Sequence, residues 1–252
     1  MNLDYKKAAL AAEFAHLVYK DKDEVSKHLK NLGYMDWAWF DNEGTQAFAC
    51  RKHKANEIFI AFRGTEPDQM KDILADAKAW RKKAREKGLV HFGFAQALDK
   101  VYDKIVRWIA EQNLDDGYKI TCTGHSLGAA LATIMASRLD AHELYTFGSP
   151  RVGNRDFVRE MTKDGINHWR FVNNNDIVTK VPFPIIYRHH GQLIYINHYG
   201  NIRKMTTWQR IKDQWRGRLR AFAKGQVFDG IFDHSMGLYH EKVQNVYLQS
   251  KK

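Results

Sequence analysis

Apolar and polar positions along the chain change period repeatedly, and each change marks an element. Residues 4–19 carry apolar side chains at helical spacing, with Leu3, Leu10, Phe14, Leu17 and Val18 as the stripe; a short second helix covers Asp23 to Asn31, closed by Gly33. Three strand-like runs follow: Tyr34 to Asp41, Gln46 to Arg51 and the wholly apolar Ile58 to Phe62. The turns between them are Asp41-Asn42-Glu43-Gly44 and Lys54-Ala55-Asn56-Glu57. An amphipathic helix runs from His91 to about Gln112, with Leu98, Val101, Ile105, Trp108 and Ile109 facing in. Strands at Ile120–Thr123, Glu143–Phe147, Ile166–Asn173 and Leu193–Asn197 alternate with helices from Ala129 to Leu139, after Asn154, over 205–223 and from Ser235 to about Leu248. Alternating strands and helices predict an α/β fold: a mixed, mostly parallel central sheet flanked by helices, in a single domain.

The densest signal lies between Ile120 and Leu139. Gly124-His125-Ser126-Leu127-Gly128 is a G-x-S-x-G joining a buried strand to an Ala- and Leu-rich helix. A chain that reverses this tightly leaves no room for side chains at Gly124 and Gly128. The turn lifts the Ser126 hydroxyl above the sheet edge and leaves the Leu127 N–H at a helix N-terminus, free to bind a developing oxyanion. Phe62-Arg63-Gly64-Thr65 ends another buried strand. Thr65 thus stands at a strand's carboxyl end, where α/β folds place ligand-binding groups, and can offer its hydroxyl and N–H to the same oxyanion.

A serine needs a base, and the base needs an acid to set its tautomer. In α/β-hydrolases the chain order is Ser, then Asp or Glu, then His. Asp176 follows a predicted strand on the side of Ser126; Asp140, Asp156 and Asp164 fall on the wrong side. Of the five histidines after Asp176, the loop before the last helix selects His234. His189, His190 and His198 flank a strand without metal-ligand spacing, so no metal or cofactor is expected.

With these segments in place, the chain resembles the class 3 lipases, the fungal-lipase-like α/β-hydrolases, over about residues 55 to 240. The resemblance rests on Phe62-Arg63-Gly64-Thr65, His91-Phe92-Gly93-Phe94, the Ser126 pentapeptide, Phe147-Gly148-Ser149-Pro150-Arg151-Val152-Gly153-Asn154, Asn175-Asp176-Ile177-Val178 with Val181-Pro182, and Asp233-His234 with Tyr239. It implies a serine carboxylic-ester hydrolase acting on acyl-ester lipids. Ser126 would be nucleophile, Asp176 acid, His234 base, and Thr65 and Leu127 the oxyanion donors. His91 and His125 would be structural, and the amphipathic segment 66–80 a lid. The secreted fungal members carry signal peptides and disulfides that this sequence does not show, and the basic helix at 205–223 is not part of the fungal pattern; intracellular bacterial relatives are similar there.

Composition narrows the setting. The chain has 252 residues, 44% of them hydrophobic, and no run long enough to span a bilayer. The N-terminal sequence does not read as a secretory signal, and two cysteines suit a reducing compartment. A cytoplasmic location is therefore expected. The net charge of +11 predicts an anionic partner. Much of it lies in residues 203–224, where eight basic side chains face Asp213 alone, a net +7. Trp208, Ile211, Trp215, Leu219 and Phe222 form one helical stripe there, the composition of an interfacial helix. Two orientations are open: the stripe packs on the enzyme, or it meets an anionic membrane. No nucleic-acid motif accompanies the charge. Within hydrolases, a phospholipase A on anionic membranes is the alternative to a glyceride lipase. A non-catalytic binder of anionic surfaces is the alternative outside them, against which the complete Ser, Asp and His set argues.

Overall fold

The computed structural model describes residues 3–52, 56–65, 82–83, 88–203, 205–206, 208–215 and 233–251. Helices α1 (Tyr5–Leu17) and α2 (Lys22–Asn31) open the chain, each begun by an aspartate, Asp4 and Asp21, whose carboxylate accepts the first free N–H groups. The meander β1 (Asp36–Asn42), β2 (Thr45–Arg51) and β3 (Glu57–Phe62) follows. A two-residue ribbon pairs β4 (Lys82–Lys83) with β5 (Leu89–Val90); it is too short for a periodic signal and was not expected. Then come α3 (Phe92–Ala110), β6 (Lys119–His125), α4 (Leu127–Arg138), β7 (Glu143–Phe147), α5 (Arg155–Lys163), β8 (Asn167–Asn173), a 3-10 turn at Val178–Lys180, and β9 (Gln192–Ile196). Helix α6 spans 208–215, and α7 (Met236–Ser250) closes the chain.

The main sheet has seven strands in the order β1-β2-β3-β6-β7-β8-β9. The first two pairings are antiparallel and the other four parallel. Parallel neighbours need crossovers, and the helices supply them on both faces. On one face Ile58, Ile60, Phe62, Cys122 and Leu144 pack under α3 and α4. On the other, Tyr145, Phe147, Trp169 and Phe171 pack under α1 and α7. Phe14 of α1 anchors the meander end, edge-on to Tyr34, Phe48 and Phe59 with centroids 5.2–5.6 Å away. Helix α4 is buried from Leu127 through Ala136, which its small side chains permit.

Cys50 and Cys122 are free and buried, and burial pushes both thiols up. They belong to core clusters on opposite faces of the sheet, so no disulfide joins them. No helix among the described residues is long and apolar enough to cross a membrane. Of the predicted helix 205–223, residues 208–215 are helical and 216–223 lie outside the described residues. Its start is set by a reciprocal cap: the Gln209 N–H donates to Thr206 Oγ1 at 3.3 Å and the Thr206 N–H to Gln209 Oε1 at 2.8 Å. The expected lid, 66–80, also lies outside the described residues.

Candidate active site

Strand β6 ends at His125 and α4 begins at Leu127, so Ser126 alone makes the turn. Its φ is +57° and ψ −125°, a conformation costly for a side-chain-bearing residue. Two close approaches require glycine. A Cβ on Gly124 would lie 2.4 Å from the Gly128 carbonyl carbon, and one on Gly128 would lie 2.2 Å from the Phe62 carbonyl oxygen. The elbow is therefore wedged against the end of β3. Gly64 lies two residues past that end, its Cβ position 3.2 Å from Ser126 Cβ. Thr65 follows, half-buried, and the Leu127 N–H opens α4 without an intrahelical acceptor.

Asp176 lies three residues past β8, and His234 two residues before α7. The fold brings both to Ser126. The Ser126 hydroxyl and His234 Nε2 are 2.7 Å apart, and His234 Nδ1 is 3.0 Å from both Asp176 oxygens. A carboxylate at Nδ1 keeps the proton there and leaves Nε2 as the acceptor for the hydroxyl. All three residues are buried. Asp176 also accepts from the Val178 N–H at 2.9 Å and from Tyr239 Oη at 2.7 Å. Burial, then the Asp176 charge, pushes the Tyr239 phenol well up, so it remains a donor.

Further residues brace the site, and of these Tyr19 and Asn173 were not singled out in the sequence. His125 Nε2–H donates to the His234 carbonyl at 2.6 Å, which leaves His125 Nδ1 to accept from Tyr19 Oη at 2.9 Å. Burial, then the His234 ring nearby, holds the His125 imidazole well below the usual histidine range and therefore neutral. Gly148 has φ +59°, and a Cβ there would lie 2.8 Å from Asp176 Oδ2 and 2.9 Å from His234 Nδ1. Asn173 ties the acid loop to the base loop: its Nδ2 donates to the Asp233 carbonyl at 2.8 Å, while its Oδ1 accepts from Lys242 Nζ at 2.6 Å. The Asp233 carboxylate accepts the Asn175 N–H at 3.0 Å.

The remaining histidines have other work. His91 stacks on Phe94 at 4.3 Å. His189 Nε2–H donates to the Thr179 carbonyl at 2.8 Å, and His190 shares a hydrogen with the buried His168 at 3.1 Å between Nδ1 atoms. No group of three potential ligands that could hold a metal occurs among the described residues.

The family model described as Lipase (class 3) matches residues 59–185, half of the chain. The chain belongs to the class 3 lipases. Among its relatives, a chloroplastic phospholipase A(1) of Arabidopsis thaliana is 41% identical over 91 residues, 33% of this chain and 20% of that protein. A secreted mono- and diacylglycerol lipase A of Penicillium cyclopium is 32% identical over 146 residues, 55% of this chain and 47% of that protein. This class 3 lipase thus spans less than half the length of those two relatives in the matched regions. In three dimensions it is similar to the lipase of Rhizopus microsporus var. chinensis, with a TM-score of 0.63 and 26% identity over 76% of this chain and 74% of that one. The seven-stranded, mostly parallel sheet is the α/β-hydrolase fold.

Proposed function

We propose that this class 3 lipase is a serine carboxylic-ester hydrolase that cleaves acyl esters of glycerides through an acyl-enzyme. The observation that carries the reading is the buried chain of hydrogen bonds from Ser126 through His234 to Asp176. Ser126 Oγ attacks the acyl carbonyl as His234 Nε2 takes its proton. The tetrahedral oxyanion is held by the N–H groups of Leu127 and Thr65. Collapse breaks the bond to the alcohol oxygen, and His234 returns the proton to that leaving group. Water, deprotonated by the same imidazole, then releases the fatty acid. Asp176 holds the ring and stabilises the imidazolium formed at each stage. The mechanism needs no metal or cofactor. Because Ser126 is fully buried, neighbouring groups must move before an acyl chain reaches it.

A second reading, phospholipase A activity with peripheral contact to anionic membranes, is favoured by the net charge of +11 and by the phospholipase A(1) among the relatives. It uses the same site. Fluorophosphonate labelling and turnover of p-nitrophenyl esters test the chemistry: wild type should react in both, and Ser126→Ala in neither. Activity that survives Ser126→Ala would reject the assignment. Tributyrin emulsion against phosphatidylglycerol vesicles separates the two substrates.

A further inference from the structure

Helix α6 is mounted the wrong way round for a helix that serves its own core. Such helices bury their apolar stripe. Here Trp208 and Trp215 are 64% and 61% exposed, Ile211 is exposed with them, and the residue turned inward is the acid, Asp213, at 4%. Asp213 pairs with His198 Nδ1, accepts from Tyr195 Oη at 3.0 Å and takes the His198 N–H at 3.1 Å. The next residue, Gln214, donates to the Asn174 carbonyl at 3.2 Å, and its own carbonyl accepts from Asn175 Nδ2 at 3.1 Å. The helix is thus fastened by its polar face to the loop that carries Asp176.

A second apolar group springs from the same loop. Ile177, beside Asp176, is exposed, and beyond the 3-10 turn Phe183 and Ile185 are 77% and 85% exposed. This is not a loose tip. Arg151 Nη1 donates to the Pro182 carbonyl at 2.8 Å on one side, and Tyr187 is buried against His91 on the other. Large apolar side chains held rigidly in water on both sides of a catalytic loop mark a contact surface.

We propose that Ile177, Phe183, Ile185, Trp208, Ile211 and Trp215 form a docking surface for an anionic phospholipid bilayer, which holds the Ser126 site against its substrate. This rests on the hydrolase reading above and names the surface through which that enzyme meets lipid. Charge selects the partner. Lys212 stands within the α6 group, its ammonium 5.5 Å from the Trp208 ring centroid, and Arg188 and Arg203 are exposed on the segments that lead from Ile185 and toward Trp208 in the chain. A second copy of the chain would bring the same basic side chains and be repelled, whereas an anionic leaflet attracts them. Exposed aromatic and branched side chains accompanied by Lys and Arg match the boundary between headgroups and acyl chains.

The test is co-sedimentation of the full chain with phosphatidylcholine vesicles, with and without phosphatidylglycerol, at low and high salt. The wild type should partition onto the anionic vesicles and be released by salt. Phe183→Ser with Ile185→Ser, and separately Trp208→Ser with Trp215→Ser, should each lose roughly tenfold or more in partitioning. Turnover of p-nitrophenyl acetate and fluorophosphonate labelling should be kept. Lys212→Glu with Arg188→Glu, confined to the surface, decides the matter if a serine pair fails to label. Its partitioning should fall on anionic vesicles only. Variants that bind like wild type overturn the proposal. So does a wild type that turns over soluble ester yet stays in the supernatant, and that outcome leaves the hydrolase reading standing. A wild type that does not label sinks the hydrolase reading instead.

Discussion

Tyr239 Oη donates to Asp176 Oδ2 at 2.7 Å and, on its other side, accepts the Asn173 N–H at 2.8 Å. One phenol therefore satisfies the catalytic loop's carboxylate and its backbone together. Tyr239→Phe removes a donor from Asp176 and strands a buried N–H, at a cost of roughly 1–3 kcal/mol. Urea unfolding should show that loss, and kcat should fall with KM little changed. An intact kcat would mean that His234 and the Val178 N–H orient the acid without the phenol.

Gly148→Ala should fold yet work poorly. The new methyl would meet Asp176 Oδ2 and His234 Nδ1 at under 3 Å, at a left-handed φ. Displacing the imidazole by even about 1 Å is expected to lower turnover on the order of 10²-fold. Fluorophosphonate labelling rates, measured beside circular dichroism, separate this from simple unfolding.

At Ser126, function and stability should trade in opposite directions. Ser126→Ala and Ser126→Gly should both lose turnover, on the order of 10⁶-fold for an intact triad of this kind. Only glycine relieves the left-handed backbone, where a side chain costs roughly 1–3 kcal/mol. Thermal unfolding should therefore place Ser126→Gly at or above Ser126→Ala, although glycine ordinarily destabilises. The reverse order would mean that the turn is unstrained.

Acid should destabilise the fold below about pH 6.5. Burial is the leading cause that lowers His125, His168, His189 and His190, the last two to about 3 and about 4. A histidine depressed in the folded state is protonated first in the unfolded chain. Its contribution is complete above pH 6.5 and is lost as pH falls toward the folded value, at about 1.4 kcal/mol per pH unit for each proton taken up. Chemical unfolding at pH 7.5, 6, 5 and 4 should show this slope, and His168→Gln should reduce it. A flat profile between pH 6.5 and 5 would contradict it.

The alternation of strands and helices and the neighbourhood of Ser126, Asp176 and His234 were legible because each is written locally: a tight turn between glycines, an acid after a strand, a histidine before a helix; the order of strands in the sheet was not. Their supports were not. Tyr19 reaches His125 across 106 positions and Gly148 passes for an ordinary loop residue; no short-range pattern reports either contact. Helix α6 shows a different limit. Its period reveals a stripe but not which way the stripe faces. The deciding residue was Asp213, a lone acid that reads as dilution of a basic segment until it is found inside.

The family match ends well short of the working unit. Residues 59–185 contain Ser126 and Asp176 but neither His234, carried ahead of α7, nor Tyr19, carried behind α1. Helices α1 and α7 lie together on one face, where Gln244 Nε2 donates to the Ala9 carbonyl at 3.1 Å and the His16 and His240 rings sit 5.0 Å apart. A fragment cut at the family limits would keep the nucleophile and the acid with no base between them. Supplied separately, the two end segments would have to reassemble as a pair on Tyr145, Phe147, Trp169 and Phe171 before hydrolysis returned. Under the hydrolase reading, turnover is thus the property of a clasp closed by α1 and α7.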